Sequence, residues 1–288
     1  MQNNWIRSIS KVSLAIGITI ISLCLLTYRS NGEFFLHYLS VFMYFLSLAL
    51  GATFFILLHT LTRGGWGVAV KRVPEHIMST LPIFALLVLP LLFGVDHIFE
   101  WLHPDVIAND PLIQVKTPYL NLPFFIIRNI IYFGTWSIIS TYYWKKSIKQ
   151  DHTHNIKDNH KITSDLQRKS PVSIFILSLT TSFASFDWLM ALFPHWFSTI
   201  FGIYYFAGCM AFFFAVTILI YDILKGLKVV TTLPTIEHLH DLSKLFYGFI
   251  IFWSYIAFSQ YFLTWYANIP EFTQWYYPRI HGEWEILF

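Results

Sequence analysis

Charged residues are scarce in this 288-residue chain: they make up 12% of it, whereas a soluble domain has about 25%. Hydrophobic residues make up 56% and aromatic residues 19%. These proportions exclude an ordinary soluble globule and indicate an integral membrane protein surrounded by lipids. The formal net charge of +3 gives no indication of a nucleic-acid partner, because the basic residues lie in loops between apolar blocks.

Cysteine is equally scarce. The two cysteines, Cys24 and Cys209, each lie inside an apolar block, which favours packing over a disulfide. No CxxC-type cluster is present, so nothing predicts a zinc or iron–sulfur site. The glycines of Thr62–Gly67 lack the strand and helix that flank a nucleotide-binding loop. We therefore expect this chain to bind no metal, haem or iron–sulfur cluster.

Long apolar runs dominate the sequence. A membrane-spanning helix needs about 20 apolar residues. Seven blocks qualify: residues 12–28, 34–61, 77–102, 122–144, 172–193, 196–224 and 242–268. They predict an all-α, polytopic transmembrane helix bundle with seven spans. We divide it into 1–33 (an N-terminal segment and the first span), 34–144 (spans two to four), 145–171 (a polar loop), and 172–288 (spans five to seven and the start of an eighth).

The basic residues predict the orientation. Of the 19 Lys and Arg residues, only Arg29, Lys116 and Arg279 fall in loops on one side, and only Arg128 falls inside a span. The others collect on the opposite side, including the loop 145–171. Because cytoplasmic loops carry the excess of Lys and Arg, we predict that the N-terminus and this loop are cytoplasmic.

The last eight residues, 281–288, read as the start of another helix. Three apolar residues would otherwise end the chain without a span. We therefore expect further helices to follow in the complete subunit.

Several polar residues fall in one layer near the non-cytoplasmic ends of the predicted spans. Asp187 is central, because a lone carboxylate in hydrocarbon is costly and marks a functional site by default. Arg128 needs an anion at similar depth, and the available partners are Asp187, Asp96 and Glu100. The other members of this layer are His97, Gln260 and Tyr261.

The layer has two main interpretations. One is a static ion pair that fixes helix packing. The other is a proton path open to the outer side, or the rim of a quinone pocket, since carboxylate, His and Tyr groups relay protons or bind quinone oxygens. Glu100 and His97 could instead reach the interface as snorkelling side chains. His59 and Asp222 are weaker candidates for an inner half-channel, with interfacial placement as the alternative.

Several longer stretches together resemble a known family. They are Gly51–Phe55, His59–Arg72, Ser185–Met190, Gly202–Gly208 and Asp241–Pro270. Over nearly the whole chain from the second span onward, the sequence resembles ActF-type subunits of bacterial alternative complex III. These belong to the wider NrfD/polysulfide-reductase membrane-subunit family. Asp187, within SFDWLM, is the polar position that the resemblance carries over most directly.

The resemblance implies a ten-span subunit made of two four-helix bundles plus extra helices, of which this chain would be the first part. It implies a respiratory quinol:cytochrome c oxidoreductase in the bacterial inner membrane. Haem c and iron–sulfur clusters would lie in partner subunits. The implied partners are an ActC-like membrane subunit, an iron–sulfur subunit, c-type cytochrome subunits and a terminal oxidase.

Three functions are therefore open. The first is a subunit that supports quinol oxidation, binds quinone or quinol, and conducts protons through the polar layer. The second is a purely structural membrane anchor. The third is a small-solute or ion transporter, which is less favoured because paired breaks of the kind seen in transporter helices are not evident. Whether the chain takes part in enzyme chemistry depends on which of these holds.

Overall fold

A computed structural model describes residues 12–13, 15–17, 19–20, 22–23, 32–153, 155–227 and 234–281. These residues form helices and turns, with no strand among them. The helices are α1 (Gly32–Thr62), α2 (Arg72–Met78), α3 (Leu81–Leu87), α4 (Leu89–Phe93), α5 (Val95–Ile98), α6 (Pro104–Asn109), α7 (Pro111–Lys116), α8 (Leu122–Asp151), α9 (Ile156–Trp188), α10 (Phe201–Leu227), α11 (Ile236–Ala267), α12 (Pro270–Thr273) and α13 (Tyr277–Ile280). Short 3₁₀ turns cover Gly65–Val70, Glu100–Leu102 and Met190–Leu192.

Six helical segments in the described part are long and apolar enough to cross a membrane. They are Gly32–Thr62, Arg72–Phe93, Leu122–Asp151, Ile156–Leu192, Phe201–Leu227 and Ile236–Ala267. The chain is thus a multi-pass helical membrane protein, and these segments correspond to predicted spans two to seven. About half of the first predicted span, and the predicted start of an eighth except residue 281, lie outside the described residues.

The third predicted span, residues 77–102, differs from the prediction. The apolar segment runs over Arg72–Phe93 and is broken into α2, α3 and α4. Pro82 and Pro90 lie in the first turns of α3 and α4, where a missing backbone N–H is tolerated. Gly94 then ends the helical run with a non-helical conformation (φ −108°, ψ 21°). The residues from 95 to 102 therefore follow the apolar segment Arg72–Phe93 and are not part of it.

The polar stretch 145–171, expected to be a loop, is largely helical. α8 continues to Asp151 and α9 starts at Ile156, where the Asn155 side chain accepts a hydrogen bond from the Lys157 amide. The connector is only residues 152–155. The ion pair between Lys146 of α8 and Asp165 of α9 (3.2 Å) joins the two helices, and Lys169, one turn further along α9, also pairs with Asp165 (3.0 Å). The polar ends of two solvent-exposed helices have the same polar composition as a loop, and the sequence alone did not distinguish the two.

The long helices pack around α1. α1 contacts α2, α9 and α10. α8 packs on both α9 and α3. The segments α1, α2–α4, α8 and α9 therefore form a closed ring of neighbouring helices. α10 packs on α1 and α9, and α11 packs on α10. Most of the apolar window of α1 is buried, whereas most of that of α11 is exposed. α11 thus forms the outer layer of the bundle.

Candidate functional site: a buried ion pair beside an apolar cavity

The site lies where the start of α8 meets the end of α9. α8 begins at Leu122 because Asn121 caps it, accepting a hydrogen bond from the Phe124 amide (2.9 Å), and Pro123 fits its first turn. Arg128 follows two turns later. α9 ends at Trp188, which places Asp187 in its last turn. The chain between α7 and α8 brings Tyr119 over the same point.

Arg128 and Asp187 form a bidentate ion pair. Arg128 Nε donates to Asp187 Oδ2 (2.7 Å) and Nη2 donates to Oδ1 (3.0 Å). Both side chains are buried, with residue exposures of 6% for Arg128 and 1% for Asp187. Parallel N–H···O bonds of this kind are among the strongest in proteins. The sequence predicted that Arg128 requires a buried anion, and in the structure this anion is Asp187.

The helix ends do not stabilise either charge. The N-terminal end of a helix carries partial positive charge and the C-terminal end partial negative charge. Asp187 is in the last turn of α9, where a negative charge is unfavourable, and Arg128 is the seventh residue of α8, beyond the turn in which the helix end acts. Neither helix therefore supplies compensation, and the two side chains stabilise each other instead.

Two tyrosines complete the coordination of Asp187. The Tyr119 hydroxyl donates to Oδ1 (2.9 Å) and the Tyr132 hydroxyl donates to Oδ2 (2.7 Å). The carboxylate thus accepts four hydrogen bonds, which fills its acceptor sites. Arg128 Nη1 donates to the Tyr119 carbonyl (2.9 Å), and its guanidinium stacks on the Tyr119 ring at 3.9 Å. Burial, and then the charge of Asp187, raise the pKa of the Tyr119 hydroxyl above its ordinary value of 10.0, so this group remains a donor.

Aromatic side chains exclude water from the inner side of the pair. Trp188 donates from Nε1 to Asn129 Oδ1 (2.8 Å) and packs edge-on against Phe125 (5.0 Å between ring centroids). Two helical turns deeper, Trp136 Nε1 donates to Thr180 Oγ1 (2.8 Å). These contacts hold α8 against α9 and fix the positions of Arg128 and Asp187.

An apolar cavity of about 370 Å³ opens on the other side of Tyr119. We call it the Tyr119 cavity. Its polar side chains are Tyr119 and Lys116, and Lys116 Nζ also donates to the Pro194 carbonyl (2.5 Å). Its walls are Val115, Pro118, Leu120, Phe186, Met190, Ala191, Pro194, Trp196 and Phe197. A mostly apolar cavity with a few polar groups at one end is typical of a small-molecule site.

The predicted layer is not a single network. Asp96, His97 and Glu100 lie on α5 and the following 3₁₀ turn and are exposed. His97 stacks on Phe35 (5.6 Å between ring centroids). Among the described residues, neither Asp96 nor Glu100 forms an ion pair with Arg128. They follow the apolar segment Arg72–Phe93 and are not part of it, whereas the prediction extended this span to residue 102.

Gln260 and Tyr261 belong to a neighbouring cluster. Gln260 is buried; it accepts from Ser198 Oγ (3.1 Å) and donates to the Tyr276 hydroxyl (3.1 Å). The Tyr261 ring packs edge-on against the Tyr276 ring (5.3 Å). This cluster meets the Tyr119 cavity at Trp196, which lines the cavity and stacks on Trp275 (4.3 Å). Gln260 and Tyr261 are therefore adjacent to the cavity without reaching the ion pair.

His59 and Asp222 lie near the C-terminal ends of α1 and α10. We call this side of the molecule, where Lys and Arg residues collect, the basic end of the bundle. His59 is half-buried near the end of α1, against Gly64 and Gly67 of the following turn. Asp222 is exposed on α10 and forms no ion pair within the described residues. Among the described residues, no hydrogen bond or ion pair joins His59 to Asp222.

Sequence reasoning missed Tyr119 and Tyr132. Tyr132 follows Arg128 by four residues, so the two share a helix face, and this spacing could have identified it. Tyr119 comes from the connection before α8, and no local pattern places a connecting segment over a particular helix end. Together, the two tyrosines donate two hydrogen bonds to Asp187, as many as Arg128 does.

Fold and site together define a polytopic helical membrane protein with a buried ion pair beside an apolar cavity. A scan against protein-family models finds no match, and a search of curated proteins finds none either.

Proposed function

We propose that this chain is an integral membrane subunit of a respiratory quinol:electron-acceptor oxidoreductase, and that the Tyr119 cavity receives the quinol headgroup. The proposal rests on Tyr119, which contacts both the cavity and the buried ion pair. Its side chain lines an apolar cavity of about 370 Å³, and its hydroxyl is held by the buried Asp187. The resemblance of SFDWLM to ActF-type subunits supports the same assignment, because Asp187 of that stretch is the centre of the site.

The polar groups of the cavity can form hydrogen bonds with both the reduced quinol and the oxidised quinone. The Tyr119 hydroxyl donates to Asp187, so its oxygen is left to accept a hydrogen bond from a quinol hydroxyl. Lys116 has three N–H donors, and one of them donates to Pro194. The others can donate to a quinone carbonyl. The apolar walls, including Phe186 and Trp196, suit a quinone ring.

Quinol oxidation releases two electrons and two protons. In this proposal the electrons pass to iron–sulfur and c-type haem centres in partner subunits, and onward to an electron acceptor such as cytochrome c. The partners are an ActC-like membrane subunit, an iron–sulfur subunit, cytochrome subunits and a terminal oxidase. Protons leave toward the end of the bundle where Asp96, His97 and Glu100 are exposed.

The geometry favours a positioning role for Asp187 over a role as a proton carrier. Protonation would take an acceptor away from at least one of its four donors and leave Arg128 beside a neutral acid. A buried cation without its partner is costly. Asp187 therefore orients the Tyr119 hydroxyl, and the Tyr119 cavity, not the carboxylate, is the proposed place of chemistry.

A purely structural anchor is the second candidate, and the same saturation of Asp187 favours it. A fully satisfied buried ion pair can serve packing alone. In that case the two helices that it joins would hold partner subunits, and the cavity would contain only lipid chains. The two functions differ in whether quinone binding depends on Tyr119.

The test uses a matched pair of variants. Tyr119→Phe and Tyr132→Phe each remove one hydrogen bond to Asp187, but only Tyr119 lines the cavity. We expect Tyr119→Phe to lower the quinone content of the purified protein and to raise the KM for quinol in the assembled complex. Tyr132→Phe should leave both unchanged. Equal quinone content and KM in the two variants would favour the structural anchor.

The proposed location is the bacterial inner membrane with the N-terminus in the cytoplasm. The support is the clustering of Arg63, Lys71, Arg72, Lys146 and Lys149 around the end of α1 and the polar ends of α8 and α9. This end lies opposite the Tyr119 cavity, which would place quinol oxidation near the outer surface.

A further inference from the structure

At the basic end of the bundle, a second pocket of about 350 Å³ lies between the turn after α1 and the facing polar ends of α8 and α9. We call it the His59 pocket. Its polar lining includes His59, Arg63, Lys71, Gln150, Thr163 and Gln167. It belongs to neither the ion pair nor the Tyr119 cavity. We propose that this pocket binds the phosphate of an anionic phospholipid headgroup.

The first support is an unsatisfied polar atom. His59 Nε2 is buried and has no hydrogen-bond partner among the described residues. Buried polar atoms in folded proteins are nearly always hydrogen-bonded, so an orphaned one calls for a partner. The ring is closely held: a Cβ added to Gly67 would lie 2.3 Å from His59 Cδ2 and 2.5 Å from Nε2. This nitrogen is closed to an oxygen-sized group as it stands, so a ligand oxygen would reach it only together with a shift of the turn that carries Gly64 and Gly67.

The second support is the charge balance. Glu75 is buried and is shared by Lys71 (3.2 Å) and Arg72 (2.9 Å), and Arg72 also pairs with Asp151. Arg63 forms no ion pair within the described part of the chain. Around the pocket, the three cations Arg63, Lys71 and Arg72 thus face two carboxylates, Glu75 and Asp151. One phosphate group would balance the excess and accept from several donors at once.

The third support is the position at a membrane surface. The pocket begins where α1 leaves its apolar span. The turn Gly65–Val70 exposes Trp66 and Val68, and Val68 and Leu166 line the pocket beside the polar groups. Trp is enriched at membrane interfaces, and basic pockets between helices on the cytoplasmic side bind lipid headgroups. Phosphate with attached acyl chains matches this mixed lining better than a free ion does.

Arg63 offers a variant that is compatible with the fold. Its backbone is left-handed, with φ at 54°, a conformation that Asn and Gly adopt more readily than Arg. Arg63→Asn therefore removes the charge without opposing the backbone. Arg168→Gln is the matched control, because Arg168 is an exposed cation of α9 outside the pocket lining.

The experiment reconstitutes the full chain and both variants in nanodiscs of phosphatidylcholine with increasing phosphatidylglycerol, and counts retained lipids by native mass spectrometry. We expect Arg63→Asn to weaken phosphatidylglycerol retention about five-fold, and Arg168→Gln to leave it unchanged. Equal retention in the two variants would overturn the site. A parallel series adds inorganic phosphate. Displacement of phosphatidylglycerol by millimolar phosphate would overturn the assignment to a lipid and leave a phosphate-ion site.

Discussion

The guanidinium of Arg128 and the carboxylate of Asp187 lie within 2.7 Å of each other, although 59 residues separate them in sequence. One comes from the first turns of α8 and the other from the last turn of α9. Both charges are buried, and neither is stabilised by the end of its own helix. The pair therefore makes the association of these two helices depend on the presence of both partners.

Removal of one partner should be more damaging than removal of both. Asp187→Asn leaves Arg128 buried without an anion, which should lower the free energy of unfolding by about 3–5 kcal/mol. In the double variant Arg128→Met/Asp187→Leu no charge remains uncompensated, so at least half of that loss should be regained. Unfolding in mixed detergent micelles measures both. A double variant as unstable as the sum of the single variants would contradict the charge-compensation argument.

Gly51 is predicted to control the contact between α1 and α10. A Cβ at Gly51 would lie 2.5 Å from the Cys209 carbonyl oxygen and 2.7 Å from Phe213 Cβ. Small residues permit this close approach of membrane helices. Gly51→Ala should lower the free energy of unfolding by about 1–3 kcal/mol, because the facing backbone must move.

Gly134→Ala is the control for Gly51, since Gly134 is a glycine of α8 with nothing within 4 Å of an added Cβ. It should be neutral or stabilising, by at most about 1 kcal/mol. The same unfolding assay measures both variants. Equal changes in the free energy of unfolding for the two alanine variants would contradict the close approach of α1 and α10 at Gly51.

The segment between α6 and α8 should loosen at acid pH. Desolvation raises the pKa of the Asp110 carboxyl, but hydrogen bonds from His195 and from the amides of Ile113 and Leu112 outweigh this and hold the pKa below its ordinary value of 3.8. A carboxyl with a lowered pKa stabilises the fold above its unfolded pKa, and this contribution is lost as the pH falls through the folded pKa.

Hydrogen exchange over residues 104–116 measures this effect. After correction for intrinsic rates, protection should be constant from pH 6 to pH 4 and should fall below pH 3.8. In Asp110→Asn the acid-dependent step should be missing. A step of the same size in the variant would assign the effect to another group.

The orientation predicts which side of the membrane each loop faces. Single cysteines are introduced as Lys149→Cys at the basic end and Asp105→Cys on α6, in a background without Cys24 and Cys209. In intact cells a membrane-impermeant maleimide should label the variant at 105 and not the variant at 149. Labelling at 149 alone would reverse the orientation.

The sequence predicted the fold class and the positions of six apolar segments, because long apolar runs are sufficient for this. It also predicted that Arg128 needed an anion. It extended the third span over Asp96, His97 and Glu100, because apolar character continues past Gly94, where the helix is interrupted. It missed Tyr119 because the path of a connecting segment depends on tertiary packing.

The central claim is that a quinone headgroup occupies the Tyr119 cavity, and photo-crosslinking tests it most directly. The main competitor is an apolar groove of about 490 Å³ between α1 and the α2–α3 segment, lined by residues such as Tyr38, Phe42 and Phe84. A quinone analogue with an azide on its ring is irradiated with the protein in membranes, and adducts are mapped by mass spectrometry. We predict adducts in residues 115–120 and 186–197 that excess quinone suppresses and that Tyr119→Phe reduces. Adducts confined to residues 38–49 and 77–87, or insensitive to both treatments, would contradict the claim.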